Sequence, residues 1–206
     1  MELLPKISIV TPSFNQGTFL EQTILSVLNQ KYPNLEYIIM DGGSTDNSVD
    51  IIRKYEDKIA FWESKPDSGQ ADAIYRGFDL ASGDIIGWIN SDDYYLDGAL
   101  HIVANNFKKY PKIDWLAGNG IIVDEQGFEL LKCYETNISF DRLYYHDSLY
   151  LQPSIFISRN AFFECGGFEK TLEFCFDYDL YLNLSSRSNP LQISDFLSAA
   201  RYHTNA

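Results

Sequence analysis

The sequence predicts a single α/β domain in which a mainly parallel central sheet is flanked by helices. The chain has 206 residues, of which 45% are hydrophobic, and this is enough to fill one sizeable core. Its first hundred residues repeat a pattern of strand, loop and helix. Short polar loops, most of them acidic, directly follow several of the predicted strands.

The first half of the chain alternates predicted strands with predicted helices. Pro12 closes the first β-rich run, and we expect Asp46 to cap the second helix. Alternation at these lengths implies right-handed crossovers and a parallel sheet. The predicted strands cover residues 7–11, 37–40, 59–63 and 85–89. The apolar positions that mark the three helix faces are Leu20, Ile24, Val27 and Leu28, then Val49, Ile52 and Tyr55, then Ala73, Ile74, Gly77, Phe78 and Ala81.

The alternation ends after Asp93, and the second half has a different organisation. Residues 115–134 predict two strands, and the turn signal at 125–127 indicates a hairpin or an edge strand. Further helices are predicted over residues 96–107, near 159–165 and over 177–185. We therefore expect this half to complete the sheet and to receive a second ligand.

The charge of the chain excludes one class of partner. The formal net charge is -13 and the sequence pI is about 4.5, so no basic surface for nucleic acid is expected. The same acidity would repel a ligand that carries a diphosphate, and such a ligand would need a bound cation. Cys133, Cys165 and Cys175 lack the paired spacing of a zinc site, which favours free thiols in a reducing cytosol. No apolar run approaches the roughly 20 residues of a membrane helix, so we expect a soluble chain.

Three polar loops are predicted at one edge of the sheet, because the carboxyl ends of parallel strands meet there and bind ligands. These loops cover residues 11–15, 41–46 and 90–93. The alternative for each loop taken alone is a turn with helix-capping side chains, and for Asp46 we prefer that explanation.

The ordered set of motifs is more specific than any single loop. The segments are IVTPSFN at 9–15, DGGSTD at 41–46, DSGQ at 67–70, GD at 83–84 and NSDD at 90–93, followed by QPS at 152–154, GGF at 166–168 and DYDL at 177–180. Together they resemble the family 2 glycosyltransferases of GT-A fold, in order and over nearly the whole chain. The resemblance implies one GT-A domain over residues 1–206, with a nucleotide-sugar-binding half at 1–100 and an acceptor-binding half at 101–206.

The resemblance implies a set of donor-binding residues. Asp41 is expected to meet the base, and a carboxylate can accept the N3 proton of uracil, which cytosine lacks. We therefore prefer a uridine diphosphate sugar as donor. For Phe14, packing in the core is an equal alternative. The residues expected to bind the nucleotide sugar are Thr11, Pro12, Phe14, Asp41, Asp67, Gln70, Asn90, Ser91 and Asp93.

The NSDD segment corresponds to the DXD-type motif of the family. Asp92 is the expected ligand of Mn²⁺ or Mg²⁺, the divalent cofactor, and Asn90 stands where an acid is common. Asp93 is expected to support the site or contact a sugar hydroxyl, with a cap for the following helix as the alternative. The resemblance also implies that His203 approaches the metal or the diphosphate, and a surface histidine is the alternative.

The resemblance implies that the acidic motif at the start of the last predicted helix contains the catalytic base of an inverting enzyme. Asp177 occupies the base position and Asp179 is the alternative, while Phe176 replaces the usual glutamate. Two acids in a first helical turn are also explained by the helix dipole alone.

The implied function is inverting transfer of a sugar to a hydroxyl of a glycan or lipid-linked acceptor in cell-surface or extracellular polysaccharide synthesis. This places the protein in the cytoplasm, with peripheral association at the inner face of the membrane as an option. The alternative is a nucleotide-sugar-binding module without turnover, because Asn90, Phe176 and Tyr75 depart from the family pattern. A nicotinamide-dependent oxidoreductase is disfavoured, since the first loop lacks G-x-G-x-x-G.

Overall fold

The computed structural model of the chain describes residues 4–134, 137–145, 150–169, 172 and 174–203. Within these residues the strands form one sheet in the order β3-β2-β1-β4-β8-β6-β9-β5, and β7 lies beside β6. The strands are β1 (Ile7–Ser13), β2 (Leu35–Asp41), β3 (Phe61–Ser64), β4 (Ile85–Trp88), β5 (Tyr94–Tyr95), β6 (Trp115–Val123), β7 (Glu129–Cys133), β8 (Ile155–Ser158) and β9 (Leu191–Arg201). The helices are α1 (Leu20–Leu28), α2 (Ser48–Lys54), α3 (Gln70–Leu80), α4 (Ala99–Lys109), α5 (Phe140–Tyr145), α6 (Arg159–Glu164) and α7 (Phe176–Ser185).

The first half of the chain forms the predicted parallel sheet. β1 pairs in parallel with β2 and β4, and β2 pairs in parallel with β3. Pro12 does not end β1, which continues to Ser13. The pairing of β1 with β4 ends at Val10, so the missing N–H of Pro12 costs no ladder hydrogen bond on that side.

Side chains alternate between the two faces of this sheet, and helices cover both faces. Val10 and Ile38 pack with α3, α6 and α7 on one face. Ile9 and Ile39 pack with α1, α2 and α4 on the other. The strands are buried on both faces as a result, which explains their continuous apolar runs. The apolar face predicted for α3 is confirmed as core, and so is that predicted for α1 apart from Leu28, which is only partly buried.

The predicted hairpin is confirmed in the second half. β6 and β7 pair antiparallel, and Gly127 turns the chain with a φ of +89°. The predicted helix at 96–107 is shorter at its start, because Gly98 adopts a left-handed conformation and α4 begins at Ala99.

Several elements of the second half were not expected from the sequence: β5, α5, β8 and β9. β9 pairs in parallel with β6 and antiparallel with β5, and so it closes the far side of the sheet. The polar residues within β9 hide its strand pattern, since its first six residues are at least partly exposed.

All three cysteines are free thiols. In the part of the chain that the structure describes, no helix combines the length and the apolar character needed to cross a membrane.

Candidate active site

A cavity of about 970 Å³ opens at the carboxyl ends of β1, β2 and β4. This is the edge of the sheet at which the sequence predicted a ligand site. Its wall also includes residues from the start of α3, from the segment before β8 and from the end of β9. The predicted residues that line it are Pro12, Phe14, Asp67, Gln70, Asn90, Ser91, Asp92 and Asp93.

The loops after β1 and β2 are joined by hydrogen bonds that shape one wall. Asn15 has a left-handed φ of 52°, which turns its side chain toward the second loop. The Asn15 amide donates to Ser44 Oγ at 2.8 Å, and the Thr45 amide donates to Asn15 Oδ1 at 2.8 Å. Asn tolerates this backbone conformation better than most residues, which accounts for its use here.

Asp46 fastens the same loops to α2. Its carboxylate accepts from the Gly17 amide and from the Ser48 amide, each at 2.9 Å. Burial alone would raise the pKa of Asp46, but hydrogen bonds from Ser48 and Gly17 hold it below its usual value. The N-cap position of α2 belongs to Asn47, so the predicted cap was placed one residue early. Asp46 is thus a turn and helix-start residue, as preferred from the sequence.

Asp41 and Thr11 lie behind the cavity wall. Asp41 is only 2% exposed, and its Oδ2 accepts from the amides of Gly43 at 3.1 Å and Ser44 at 2.9 Å. The Ser64 hydroxyl also donates to Oδ2, at 2.6 Å, while Oδ1 accepts from Ser44 Oγ at 2.5 Å. Thr11 is fully buried and bonds the Tyr37 hydroxyl at 3.0 Å. The structure therefore does not bring these two predicted residues onto the cavity surface.

Asp67 is the carboxylate that reaches the cavity on this side. It lies against Gly42, where a Cβ would stand 3.0 Å from Asp67 Oδ2. The Gly69 amide donates to Asp67 Oδ1 at 2.9 Å. Burial, followed by the nearby charges of Asp72 and Asp41, raises the pKa of Asp67. A larger residue at position 42 would require the Asp67 side chain to shift by a few tenths of an ångström.

Gln70 and Asn90 join two of the predicted segments directly. Gln70 Nε2 donates to Asn90 Oδ1 at 2.7 Å, across the gap between the start of α3 and the end of β4. A neutral amide at position 90 can accept this bond and also donate, and the Asn90 side chain is hydrogen-bonded to Asp93 as well.

The segment 90–93, which we call the acidic loop, is a tight turn closed by the Asp93 amide donating to the Asn90 carbonyl at 3.1 Å. Asp93 is 5% exposed, and its Oδ1 accepts from the Arg201 amide at 2.8 Å. Burial and then the charge of Asp92 raise the pKa of Asp93, and Arg201 partly offsets this. Asp93 does not cap the following helix, because β5 intervenes and the N-cap of α4 is Gly98.

Asp92 lies beside His203, and their side chains form a direct contact. His203 Nε2 is 2.9 Å from Asp92 Oδ2. His203 is 8% exposed, so the alternative that it is a surface histidine is wrong. Within the described ranges, no group of three or more His, Cys, Asp or Glu side chains is arranged to hold a metal ion. Asp92 and His203 offer one oxygen and one nitrogen ligand, a set that suits an ion whose remaining ligands are phosphate oxygens and water.

Asp177 and Asp179 lie on α7, outside the cavity lining. Asp177 is half-buried and is hydrogen-bonded to the Tyr150 hydroxyl. Burial raises the pKa of Asp177, and the Tyr150 hydrogen bond works in the opposite direction. Tyr150 is followed in the chain by Leu151, which lines the cavity. Asp179 instead accepts from Asn183 Nδ2 at 3.1 Å, one turn along the same helix.

Sequence reasoning missed the residues that come from β9 and α1. Arg201 lines the cavity, and Thr23 contacts the acidic loop from α1. Thr23 was detectable in principle, since it is a polar residue beside the apolar positions Leu20, Ile24 and Val27. Arg201 gave no signal, because β9 itself was not expected.

A model of the family described as Glycosyl transferase family 2 matches residues 8–172. The chain belongs to this family. An uncharacterized glycosyltransferase of Haemophilus influenzae is 35% identical over 143 residues, covering 68% of this chain and 56% of that protein. The chain thus spans little more than half the length of this relative.

Two solved structures share the fold. S. aureus TarS 1-349 in complex with UDP-GlcNAc has a TM-score of 0.78 at 17% identity, covering 96% of this chain and 59% of that one. The mannosyltransferase PcManGT of Pyrobaculum calidifontis, in complex with GDP-Man and Mn²⁺, has a TM-score of 0.75 at 13% identity, covering 99% of this chain and 59% of that one. With the family match, these similarities identify the described chain as a GT-A glycosyltransferase domain and confirm the predicted fold class.

Proposed function

We propose that this domain transfers a sugar, with inversion, from a nucleoside diphosphate sugar to a hydroxyl acceptor. The observation that carries the proposal is one cavity to which three separate segments contribute: Pro12 near the end of β1, Asp67 after β3, and Asn90 and Asp92 of the acidic loop. The sugar nucleotides held by TarS and PcManGT support a donor of this class.

A uridine base is the preferred partner of the wall that has Asp67 at its surface and Asp41 behind it. Asp41 Oδ1 accepts from Ser44 Oγ, and a carboxylate oxygen can accept a second hydrogen bond from an N–H donor. Asp67 lies at the cavity surface against Gly42, and it presents a further acceptor. An acceptor placed opposite N3 favours uracil, whose N3 carries a proton, over cytosine, whose N3 has none.

Asp92 and His203 are the residues that would hold a divalent ion, Mn²⁺ or Mg²⁺. When bound, such an ion supplies positive charge to the leaving diphosphate. Gln70 and Asn90 contact each other at the same wall and would orient the ribose or the sugar. Thr11, behind the wall, fixes β1 through its bond to Tyr37.

Asp177 is proposed as the general base. It takes the proton of the acceptor hydroxyl while the acceptor oxygen forms the new bond to the anomeric carbon and the bond to the diphosphate oxygen breaks. One displacement of this kind inverts the anomeric centre. Partial burial favours the neutral form of Asp177 and so makes its carboxylate a stronger base, while the Tyr150 hydroxyl moderates this effect and orients the group. Asp179 is the alternative, although its carboxylate faces Asn183.

The acceptor is proposed to be a hydroxyl of a glycan or of a lipid-linked saccharide, in cell-surface or extracellular polysaccharide synthesis. The reaction would take place in the cytoplasm, with peripheral association at the membrane for a lipid-linked acceptor. The segment before β8 supports an acceptor site beside the donor, because Leu151, Gln152 and Pro153 line the cavity next to Tyr150.

A nucleotide-sugar-binding module without turnover is the second candidate. It is favoured by Phe176, which stands next to the proposed base and is only 6% exposed. Its ring packs on Phe168 at a centroid distance of 5.1 Å, so this position serves the core and offers no acid.

The experiment that tests the function compares ligand binding with turnover. Thermal shifts are measured with UDP, CDP and GDP, each with Mn²⁺ and with EDTA, since selective binding raises the unfolding temperature. Release of UDP from UDP-GlcNAc and UDP-glucose is then followed with candidate saccharide acceptors. Metal-dependent stabilisation by UDP together with sugar transfer supports the enzyme. Binding with neither transfer nor hydrolysis supports the inactive module, and no stabilisation by any of the three nucleotides contradicts both.

A further inference from the structure

The hydroxyl of Thr23, in α1, is hydrogen-bonded to two backbone carbonyls of the acidic loop. Thr23 Oγ1 lies 2.6 Å from the Asp93 carbonyl oxygen and 3.0 Å from the Ser91 carbonyl oxygen, so one hydroxyl proton serves both. Thr23 is fully buried, and the apolar residues Leu20 and Ile24 adjoin it on the same helix face. A buried carbonyl that lost this donor would be costly, because water does not reach it.

The guanidinium group of Arg201 is hydrogen-bonded to the same loop. Its Nε donates to the Asp92 carbonyl at 3.0 Å. One Nη donates to the carbonyls of Asp124 at 3.0 Å and Glu125 at 2.6 Å, in the hairpin turn between β6 and β7. The other Nη donates to Gln22 Oε1 at 2.7 Å. One planar side chain therefore ties the acidic loop, the hairpin turn and α1 into one rigid unit.

The position of Arg201 also makes it the cation of this cavity. Among the described residues that line the cavity, Arg201 is the only Lys or Arg. The acidic residues of the same lining are Asp67, Asp92 and Asp93. Its guanidinium lies over the Phe19 ring at 4.7 Å from the centroid, and the whole residue is 6% exposed. Its hydrogen bonds go to backbone carbonyls and to Gln22, so the guanidinium holds the backbone of the acidic loop.

We propose that Arg201 is a positioning residue that sets the geometry of Asp92 for a metal-bound diphosphate, with Thr23 as its counterpart on α1. This inference rests on the proposed function. It predicts that the shape of the guanidinium, and not only its charge, determines metal-dependent nucleotide binding. Lysine keeps the charge but lacks the fork of donors that reaches three carbonyls at once.

The test compares Arg201→Lys with Arg159→Lys as a matched control. Arg159 also donates its Nε to a carbonyl, that of Ala81 at 2.8 Å, and it lies over the Phe163 ring at 4.8 Å from the centroid. It does not line the cavity. Two quantities are measured on the full chain: the affinity for UDP with Mn²⁺ and with EDTA, and the rate of amide hydrogen exchange over residues 91–96 without any ligand.

We expect Arg201→Lys to weaken UDP binding with Mn²⁺ at least about tenfold and to change binding in EDTA less than about twofold, the pattern of a lost metal-positioning contact. Exchange over residues 91–96 should become faster in this variant and stay unchanged in Arg159→Lys. Equal affinity of Arg201→Lys and wild type with Mn²⁺ would overturn the inference, as would an equal loss with and without metal.

Thr23→Val provides the second variant in case Arg201→Lys does not fold. Valine keeps the shape of threonine and removes the hydroxyl, so the same selective loss with Mn²⁺ and the same faster exchange are expected. Unchanged exchange over residues 91–96 in this variant contradicts the inference. Wild-type protein that binds no UDP with Mn²⁺ contradicts the proposed function instead, and the exchange data then still decide whether Arg201 and Thr23 fix the loop.

Discussion

His203 Nε2 lies 2.9 Å from Asp92 Oδ2, although 111 positions separate the two residues in the chain. Asp92 stands just after β4, and His203 stands just after β9. The two strands are not neighbours in the sheet, because β8 and β6 lie between them. The contact therefore depends on the curl of the sheet, which brings the end of β9 over the acidic loop.

This contact leads to a prediction for the metal. Asp92→Ala should abolish the gain in UDP affinity that Mn²⁺ provides, because it removes the carboxylate that contacts His203. Asp46→Ala is the control: it should leave that gain intact and lower the free energy of unfolding by about 1 kcal/mol, as a lost helix-start contact does. Calorimetric titration of UDP with Mn²⁺ and with EDTA, and urea unfolding, measure the two effects.

The prediction fails in two ways that are easy to distinguish. If wild-type protein binds UDP equally well with Mn²⁺ and with EDTA, no metal takes part in binding. If Asp46→Ala loses the metal effect and Asp92→Ala keeps it, the metal site lies at the α2 end of the cavity.

A second prediction concerns the base of the nucleotide. Asp41→Asn should shift the preference from UDP toward CDP, because the asparagine amide can donate to the unprotonated N3 of cytosine while a carboxylate cannot. The ratio of the two dissociation constants is the quantity to measure. Asp67→Asn, tested in parallel, decides which carboxylate faces the base, and an unchanged ratio in both variants would remove the base contact from this wall.

The third prediction concerns the base of the reaction. Asp177→Asn should keep donor and metal binding but lower kcat for transfer by at least about a hundredfold, the usual scale for a lost general base. Asp179→Asn, in which the partner Asn183 remains, should retain most of its activity. If Asp179→Asn is the inactive variant, the base moves two residues along α7.

The pH profile offers a fourth prediction at the same residue. Asp177 must be deprotonated to accept a proton, so kcat/KM should fall as the pH drops through its pKa, which burial raises from the ordinary value of an aspartate. Tyr150→Phe removes a hydrogen bond that stabilises the charged form. The acid limb of the profile should therefore move to higher pH, and a limb that stays in place contradicts the pairing of these residues.

A fifth prediction concerns stability away from the site. Burial alone would raise the pKa of Glu36, but hydrogen bonds from Lys6, Ser8 and Ser82 lower it to about 2. Glu36→Gln should lower the free energy of unfolding by about 2 kcal/mol at pH 7, since it removes bonds to a charged group. Since the folded pKa is below the value of about 4.3 expected for an unfolded chain, the difference should persist above pH 5 and shrink as the pH falls toward 2.

Urea unfolding of wild type and Glu36→Gln between pH 2.5 and 7 measures this difference. Asp50→Asn is the control, because the Asp50 side chain is 79% exposed and its ion pair with Arg53 is a surface one. Its effect should stay below about 0.5 kcal/mol at every pH. A constant effect of Glu36→Gln across the whole range would contradict the lowered pKa.

The parallel half of the fold was predictable because its signals are local. Strand and helix alternate at short intervals, and residues such as Ile74 and Phe78 mark a core face without reference to the rest of the chain. The loops at the carboxyl ends of the strands followed from the same pattern, and most of the predicted donor residues line the cavity. Their roles in binding and catalysis remain predictions.

The second half was harder to predict because its strands form by pairing with segments that are distant in the sequence. β9 contains Ser194 and Asp195 in a strand that is partly exposed, so periodicity alone does not reveal it. Arg201 lines the cavity only because β9 ends there, and the sequence did not predict β9. For Asp41 the sequence motif was recognised, but its burial was not predicted. That burial, and the hydrogen bonds from Ser44 and Ser64, depend on tertiary packing.

The late position of β9 has a consequence for biosynthesis. The acidic loop leaves the ribosome long before the segment that carries Arg201 and His203. At typical elongation rates, the 111 positions between Asp92 and His203 correspond to roughly 6 to 20 s of translation. During that interval the growing chain already carries the strands β1 to β4, but it presents Asp92 and Asp93 without the side chains that later fix them. The cavity is therefore completed only after β9 has been made, and a chain stopped before β9 would hold its aspartates in an unsupported loop.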